Sequence, residues 1–228
     1  TELWVDPVAG DDANDGATRD TALRTVDAAW QQIPAGTELA TGYRIMLAPG
    51  TYPLEGSVNY WEDRHGTAAA PIVLEAADGP HTARFDADMN VFGVSHLYVL
   101  GVDIIREGDA FHCEQCDHIL LRDVELSGGT AAHETVKVNQ SQHVYIEGAN
   151  IHGADDNGAF ASDGRFSRHE LPCGPPWSWL RNAKSGSMDG TWSVNARQGA
   201  VASRLTMLGE PGTEVVLCEF PRTETYAN

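Results

Sequence analysis

Two pairs of polar residues sit at one common spacing. His112 and Lys137 are 25 residues apart, and so are Glu114 and Asn139. If the chain brings each pair side by side, a base, a cation, a carboxylate and an amide share one surface. Such a set suits β-elimination at a uronic acid. A cation neutralises the sugar carboxylate, a base removes the C5 proton and an acid protonates the leaving oxygen. Lys137 beside a second cationic group would have a lowered pKa and could serve as the base. A plain solvated strand face accounts for the same residue types.

The spacing matters because the chain repeats itself. HLYVLGVDIIR (96–106), HILLRDVELSG (118–128) and HVYIEGANIHG (143–153) are versions of one phrase, 22 and then 25 residues apart. Aligned on His96, His118 and His143, the apolar positions coincide: Leu97, Ile119 and Val144, then Val99, Leu121 and Ile146, then Val102, Val124 and Ala149, then Ile104, Leu126 and Ile151. This alternation belongs to one face of a strand. A shorter phrase precedes each histidine: VFGVS (91–95), AFHCE (110–114) and TVKVN (135–139), with AFAS (159–162) as a fourth copy. Short strands with turns between them leave no room for a crossover helix. A stack of coils is expected, because each coil buries its apolar face only against its neighbours.

This alignment puts Gly93, His112, Lys137 and Ala161 in one outward row. Ser95, Glu114, Asn139 and Asp163 form a second, with Ser162 as the alternative last member. Neighbouring strands lie about 4.8 Å apart, so stacked side chains touch. Cys113 aligns with Val94 and Val138 and is expected to point inward.

Other segments join the stack. RIMLAPGTY (44–52) has Ile45 and Leu47 in phase, and PIVLEA (71–76) has Ile72 and Leu74. TALRTVDAAWQQI (21–33) instead places Leu23, Val26, Trp30 and Ile33 at helical spacing. A short amphipathic helix there would cover the open end of the stack. The expected fold is all-β, a right-handed parallel β-helix over 1–163 with a short N-terminal capping helix.

The stretch WVDPVAGDDANDGATRDTALRTVDAAW, then RIMLAPGTY, HGTAAAPIVLEA and the histidine-led coils, resembles the secreted right-handed parallel β-helix family. That family includes pectate-lyase-like, alginate-lyase-like and chondroitinase-B-like enzymes. The resemblance covers about residues 3–163 and bears on fold more than on activity. It implies an acidic polysaccharide or other glycan as partner, with calcium as a candidate cofactor. In the alginate-lyase-like and chondroitinase-B-like enzymes, calcium-binding acids precede a catalytic lysine, and an arginine follows on the next coil. Laid over this chain, a calcium glutamate falls on Glu134. The lysine position falls on Asn139 and the arginine position near Ala161, with Lys137 two residues away from the match.

The residues between and after the repeats offer further sites. GDDANDG (10–16) holds Asp11, Asp12 and Asp15, whose carboxylates could take calcium or shape a turn. Asp155 and Asp156 have the same two readings. HCEQCDH (112–118) contains His112, Cys113, Cys116 and His118, a compressed set for a soft metal, a disulfide or plain packing. The histidine series reads as a turn ladder. No phosphate-binding glycine loop, nucleophile elbow or His-Glu-x-x-His pattern occurs.

Composition narrows the class. The 228 residues carry 33 acids against 15 Lys/Arg, a net charge of −18. That argues against nucleic acid, which needs clustered cations. No apolar run is long enough to span a membrane. The first residue is threonine, which suits a secreted protein whose signal peptide has been removed. Residues 1–163 hold 27 acids and 8 Lys/Arg, whereas 164–228 hold 6 and 7. The shift marks a boundary near 163. The tail is expected to form irregular coils or a cap with strands such as GTEVVLCEF (212–220); a truncated or frame-shifted end is the remaining reading. The leading functional expectation is an acidic-polysaccharide binder or lyase, with Lys137 and His112 catalytic, Glu114, Asn139 and Asp163 on substrate, and Glu134, Asp11, Asp12 and Asp15 on calcium. The rivals are a non-catalytic surface or scaffold module, and a metal-dependent hydrolase using His and Asp.

Overall fold

The computed structural model describes residues 1–128, 135–152, 160–162, 190–198 and 201–209. The chain runs through three parallel sheets in a fixed order, coil after coil. Sheet 1 contains β1 (Glu2–Val5), β2 (Tyr43–Leu47), β5 (Ile72–Ala76), β8 (Ser95–Leu100), β11 (Asp117–Arg122) and β14 (Gln142–Glu147). Sheet 2 contains β3 (Gly50–Pro53), β6 (Ala83–Asp86), β9 (Val102–Ile105), β12 (Glu125–Ser127) and β15 (Asn150–His152). Sheet 3 contains β4 (Trp61–Glu62), β7 (Met89–Phe92), β10 (Phe111–Glu114), β13 (Val136–Asn139) and β16 (Phe160–Ser162). The architecture is a parallel β-solenoid.

The repeated phrase is one wall. Leu97, Ile119 and Val144 are neighbours in register, as are Val99, Leu121 and Ile146. All six are buried. Sheet 2 continues the core with Tyr52, Phe85, Ile104, Leu126 and Ile151 in one row. Sheet 3 adds Trp61, Val91, Cys113 and Val138. Each aliphatic side chain so buried stabilises by roughly 1.5–3 kcal/mol over exposure, and no coil collects that without its neighbours.

The corners explain the histidines. Between sheets 3 and 1 the backbone enters the left-handed region twice. It does so first at Gly93, Gln115 and Gln140 (φ +62°, +53°, +48°), then at His96, His118 and His143 (φ +53°, +56°, +52°). Histidine is among the few non-glycine types enriched there. Between sheets 1 and 2 the left-handed residues are Gly101, Asp123 and Gly148.

The N-terminal helix is short, α1 (Val26–Gln31), capped by the Thr25 side chain accepting from Ala28 N–H. A 3₁₀ turn spans Arg19–Thr21. Leu23, Val26, Trp30 and Ile33 are nonetheless all buried. Trp30 meets Trp61 edge to face, 4.9 Å between ring centres. The outer edge of β1 is covered by the loop that follows it, before α1, with Trp4 N–H donating to Gly16 O and Leu23 N–H to Trp4 O. Beyond β16, β17 (Gly190–Gln198) and β18 (Val201–Gly209) form an antiparallel pair, and β18 runs parallel to β16 with Leu205 opposite Phe160. The expected strand at 212–220 lies outside the described residues, as do Cys173 and Cys218. Among the described residues no helix is long and apolar enough to cross a membrane.

Candidate functional site

Sheet 3 turns one face outward, and its register decides which residues meet. His112 lies opposite Lys137, and Glu114 opposite Asn139, as the common spacing predicts. Lys137 is followed by Ala161. On the other side the expected neighbours are corrected. His112 pairs with Asn90, not Gly93, and Glu114 with Phe92, not Ser95. Cys113 stands beside Val91 rather than Val94. The reason is that Gly93 belongs to the left-handed corner, equivalent to Gln115 and Gln140. The offset of 22 set by the histidines holds through that corner. Aligning VFGVS on AFHCE shifts it to 19.

The resulting face has two rows. One is Asn90, His112 and Lys137, all half-buried; the other is Glu62, Phe92, Glu114 and Asn139. Phe92 is 41% exposed, an aromatic surface among hydrogen-bonding groups. Asn139 Nδ2 lies 3.3 Å from His112 Nε2. With the amide donating, Nε2 carries a lone pair and the ring proton sits on Nδ1. Glu114 Oε2 is 3.8 Å from the same Nε2. At the margin, Arg106 Nη1 donates to Asp88 Oδ1 at 2.5 Å, and Asn90 Nδ2 donates to the other Asp88 oxygen. Phe92, Asn90, Asp88 and Arg106 were not singled out by sequence reasoning. Carrying the offset of 22 back from His112 and Glu114 would have found the first two.

The remaining expected residues fall elsewhere. Asp163 and Glu134, with Asp155 and Asp156, lie outside the described residues. Asp11, Asp12 and Asp15 stand in the N-terminal loop and use their carboxylates locally. Asp11 Oδ1 accepts from Ala13 N–H. Asp12 accepts from the Arg24 and Thr25 N–H groups and from the Thr25 hydroxyl. Asp15 accepts from Ala17 N–H and the Thr21 hydroxyl, which hold its carboxyl below the usual range.

The HCEQCDH residues diverge. His112 faces out on sheet 3. Cys113 and Cys116 are free thiols in the core, and Cys116 N–H donates to Ser141 Oγ at 3.0 Å. Burial pushes the Cys113 thiol up. His118 stands on the corner between sheets 3 and 1, in a stack of imidazoles. The His96 and His118 ring centres are 4.4 Å apart, those of His118 and His143 4.3 Å. Burial first, then the His118 neighbour, lowers the His96 pKa.

No family model matches the chain, and no curated protein matches it in sequence. Similar solved structures include a GH136 lacto-N-biosidase from Eubacterium ramulus in two forms. The selenomethionine derivative shares 13% identity at a TM-score of 0.32, covering 67% of this chain and 36% of that one. The native protein shares 14% at 0.25, covering 65% and 36%. The chain thus spans about a third of the length of those structures.

Proposed function

We propose that the outward face of sheet 3 binds an acidic polysaccharide and cleaves it by β-elimination, in the manner of the pectate-lyase-like β-helix enzymes its repeats resemble. The observation that supports this is the in-register row Asn90, His112 and Lys137 beside Phe92, Glu114 and Asn139. A polymer of sugars needs an extended, open surface with an aromatic platform and hydrogen-bonding side chains. An exposed sheet face supplies one.

In this reading Lys137 neutralises the uronate carboxylate and so acidifies the C5 proton. His112 takes that proton through the lone pair on Nε2. The released electrons form the C4–C5 double bond, the C4–O bond breaks, and the imidazolium returns a proton to the leaving oxygen. At rest Asn139 Nδ2 occupies that lone pair at 3.3 Å, and substrate must displace the amide before the proton can be taken. Glu114 and Asn139 are adjacent hard oxygen donors, which fits calcium; calcium held there would supply additional charge neutralisation, and Glu134, outside the described residues, is the calcium glutamate that the resemblance implies. A calcium role for Asp11, Asp12 and Asp15 would add to the loop bonds they already make. The protein acts on an extracellular polymer and is secreted.

The test is incubation with alginate, pectate and chondroitin, with calcium, following the ultraviolet absorbance of the unsaturated product. Lys137→Ala and His112→Ala should each lower the rate by about 100-fold or more. No rise with any of the three polymers removes the lyase reading for them. A second reading, a non-catalytic glycan-binding module, draws on the contacts that His112 Nε2 already makes with Asn139 and Glu114. It predicts binding by titration without any absorbance change.

A further inference from the structure

The corner between sheets 3 and 1 gathers a second constellation, away from the outward face of sheet 3. Asp117 opens β11, and its Oδ1 faces two imidazoles from successive coils. His143 Nδ1 lies 2.7 Å from it and donates a hydrogen bond. His118 Nδ1 lies 3.0 Å from the same oxygen. That second approach lacks hydrogen-bond geometry, and the nitrogen is screened from solvent with no partner, although its ring is 40% exposed. Two imidazoles therefore converge on one carboxylate oxygen, and one of the two nitrogens is left unsatisfied. Among the described residues, Asp117, His118 and His143 are the trio of His, Cys, Asp or Glu whose ligand atoms all lie within 4.8 Å of one another.

We propose that Asp117, His118 and His143 form a binding site for a zinc-class divalent ion. Two imidazole nitrogens and one carboxylate oxygen are the donor set such ions favour, and calcium and magnesium do not. Bonds of about 2.0–2.2 Å to each ligand need ligand atoms somewhat farther apart than they stand. Rotation of the two rings about the side-chain torsions supplies that opening. The repeat builds the site: a histidine at the same left-handed position of three successive coils puts imidazoles one strand spacing apart, and an aspartate one residue earlier in one coil completes the set. His96 stacks on the His118 ring within 4° of parallel and lines the site's far side. Three protein ligands leave a fourth position for water or for a donor from a bound molecule. The site does not depend on the glycan reading, since it shares no residue with the sheet 3 face.

Zinc chloride titrated into the whole chain, followed by calorimetry and by imidazole resonances, tests the proposal. The expected result is one strong site, with the His118 and His143 ring signals shifting together at the first equivalent. His118→Asn and His143→Asn should each weaken that site by about tenfold or more; asparagine tolerates the left-handed backbone. His81→Asn removes an imidazole that pairs with Asp103 at 2.6 Å on sheet 2, and should bind like the parent. The proposal is overturned if His118→Asn and His143→Asn titrate like the parent, or if His81→Asn loses as much as they do. Should either corner variant fail to fold, the unmodified protein still decides. A first equivalent of zinc that shifts other histidines and spares these two refutes the site.

Discussion

Asp12 shows how one side chain can be read correctly by type and yet have its role set only by its partners. Three aspartates within GDDANDG look alike as calcium ligands or turn residues. In the folded chain Asp12 receives two backbone N–H groups and the hydroxyl of Thr25, itself the cap of α1. Asp11 receives the N–H of Ala13. Asp12→Ala should therefore cost about 1–2 kcal/mol, as loss of a capping network does, and Asp11→Ala distinctly less. Urea unfolding of the two variants measures the difference; equal midpoints would mean that the Asp12 bonds do not brace the helix start. The same dependence on partners applies to His112, whose Nε2 meets Asn139 of the next coil at 3.3 Å and Glu114 of its own strand at 3.8 Å.

The coil is the unit at the level of elements, and its corners carry its identity. The spacing of His96, His118 and His143 was legible because each wall alternates strictly and each corner needs a residue that tolerates positive φ. The short phrase before it was misaligned because VFGVS contains a corner glycine that resembles a strand position by composition alone. Two corner glycines test this account. Gly93 has φ +62° with open space where a Cβ would go, and its counterparts are Gln115 and Gln140. Gly101 has φ +68°, and a Cβ there would lie 2.9 Å from Pro80 Cα. Gly93→Asn should cost no more than about 1–2 kcal/mol of backbone strain. Gly101→Asn adds a clash with main chain and should lose clearly more, read as a larger fall in melting temperature. Equal falls would show that the Pro80 contact relaxes at no cost.

The charge on the whole molecule sets the terms on which a partner approaches. If an acidic glycan is the partner, as proposed, the net charge of −18 would repel it at long range while Lys137 would attract it locally. Salt screens the long-range repulsion beyond a Debye length of about 8–10 Å near physiological strength. The association rate for an acidic glycan should accordingly rise as ionic strength increases from low salt to physiological salt, the reverse of ordinary electrostatic steering. Stopped-flow measurement across that range decides; a rate that falls with salt would place the encounter on a locally basic surface.

Sequence by itself determined the stacked architecture, the inward rows of Leu97, Ile119 and Val144 and of Val99, Leu121 and Ile146, and the pairings of His112 with Lys137 and Glu114 with Asn139. Each of these follows from periodicity, because burial forces equivalent letters of a repeat onto one face. Tertiary structure alone decided that Cys116 joins Cys113 in the core beside Ser141, and that Asp117 meets histidines from two coils. Those depend on where the backbone turns left-handed and on side chains one strand apart, distances that a linear sequence separates by 22 to 26 residues.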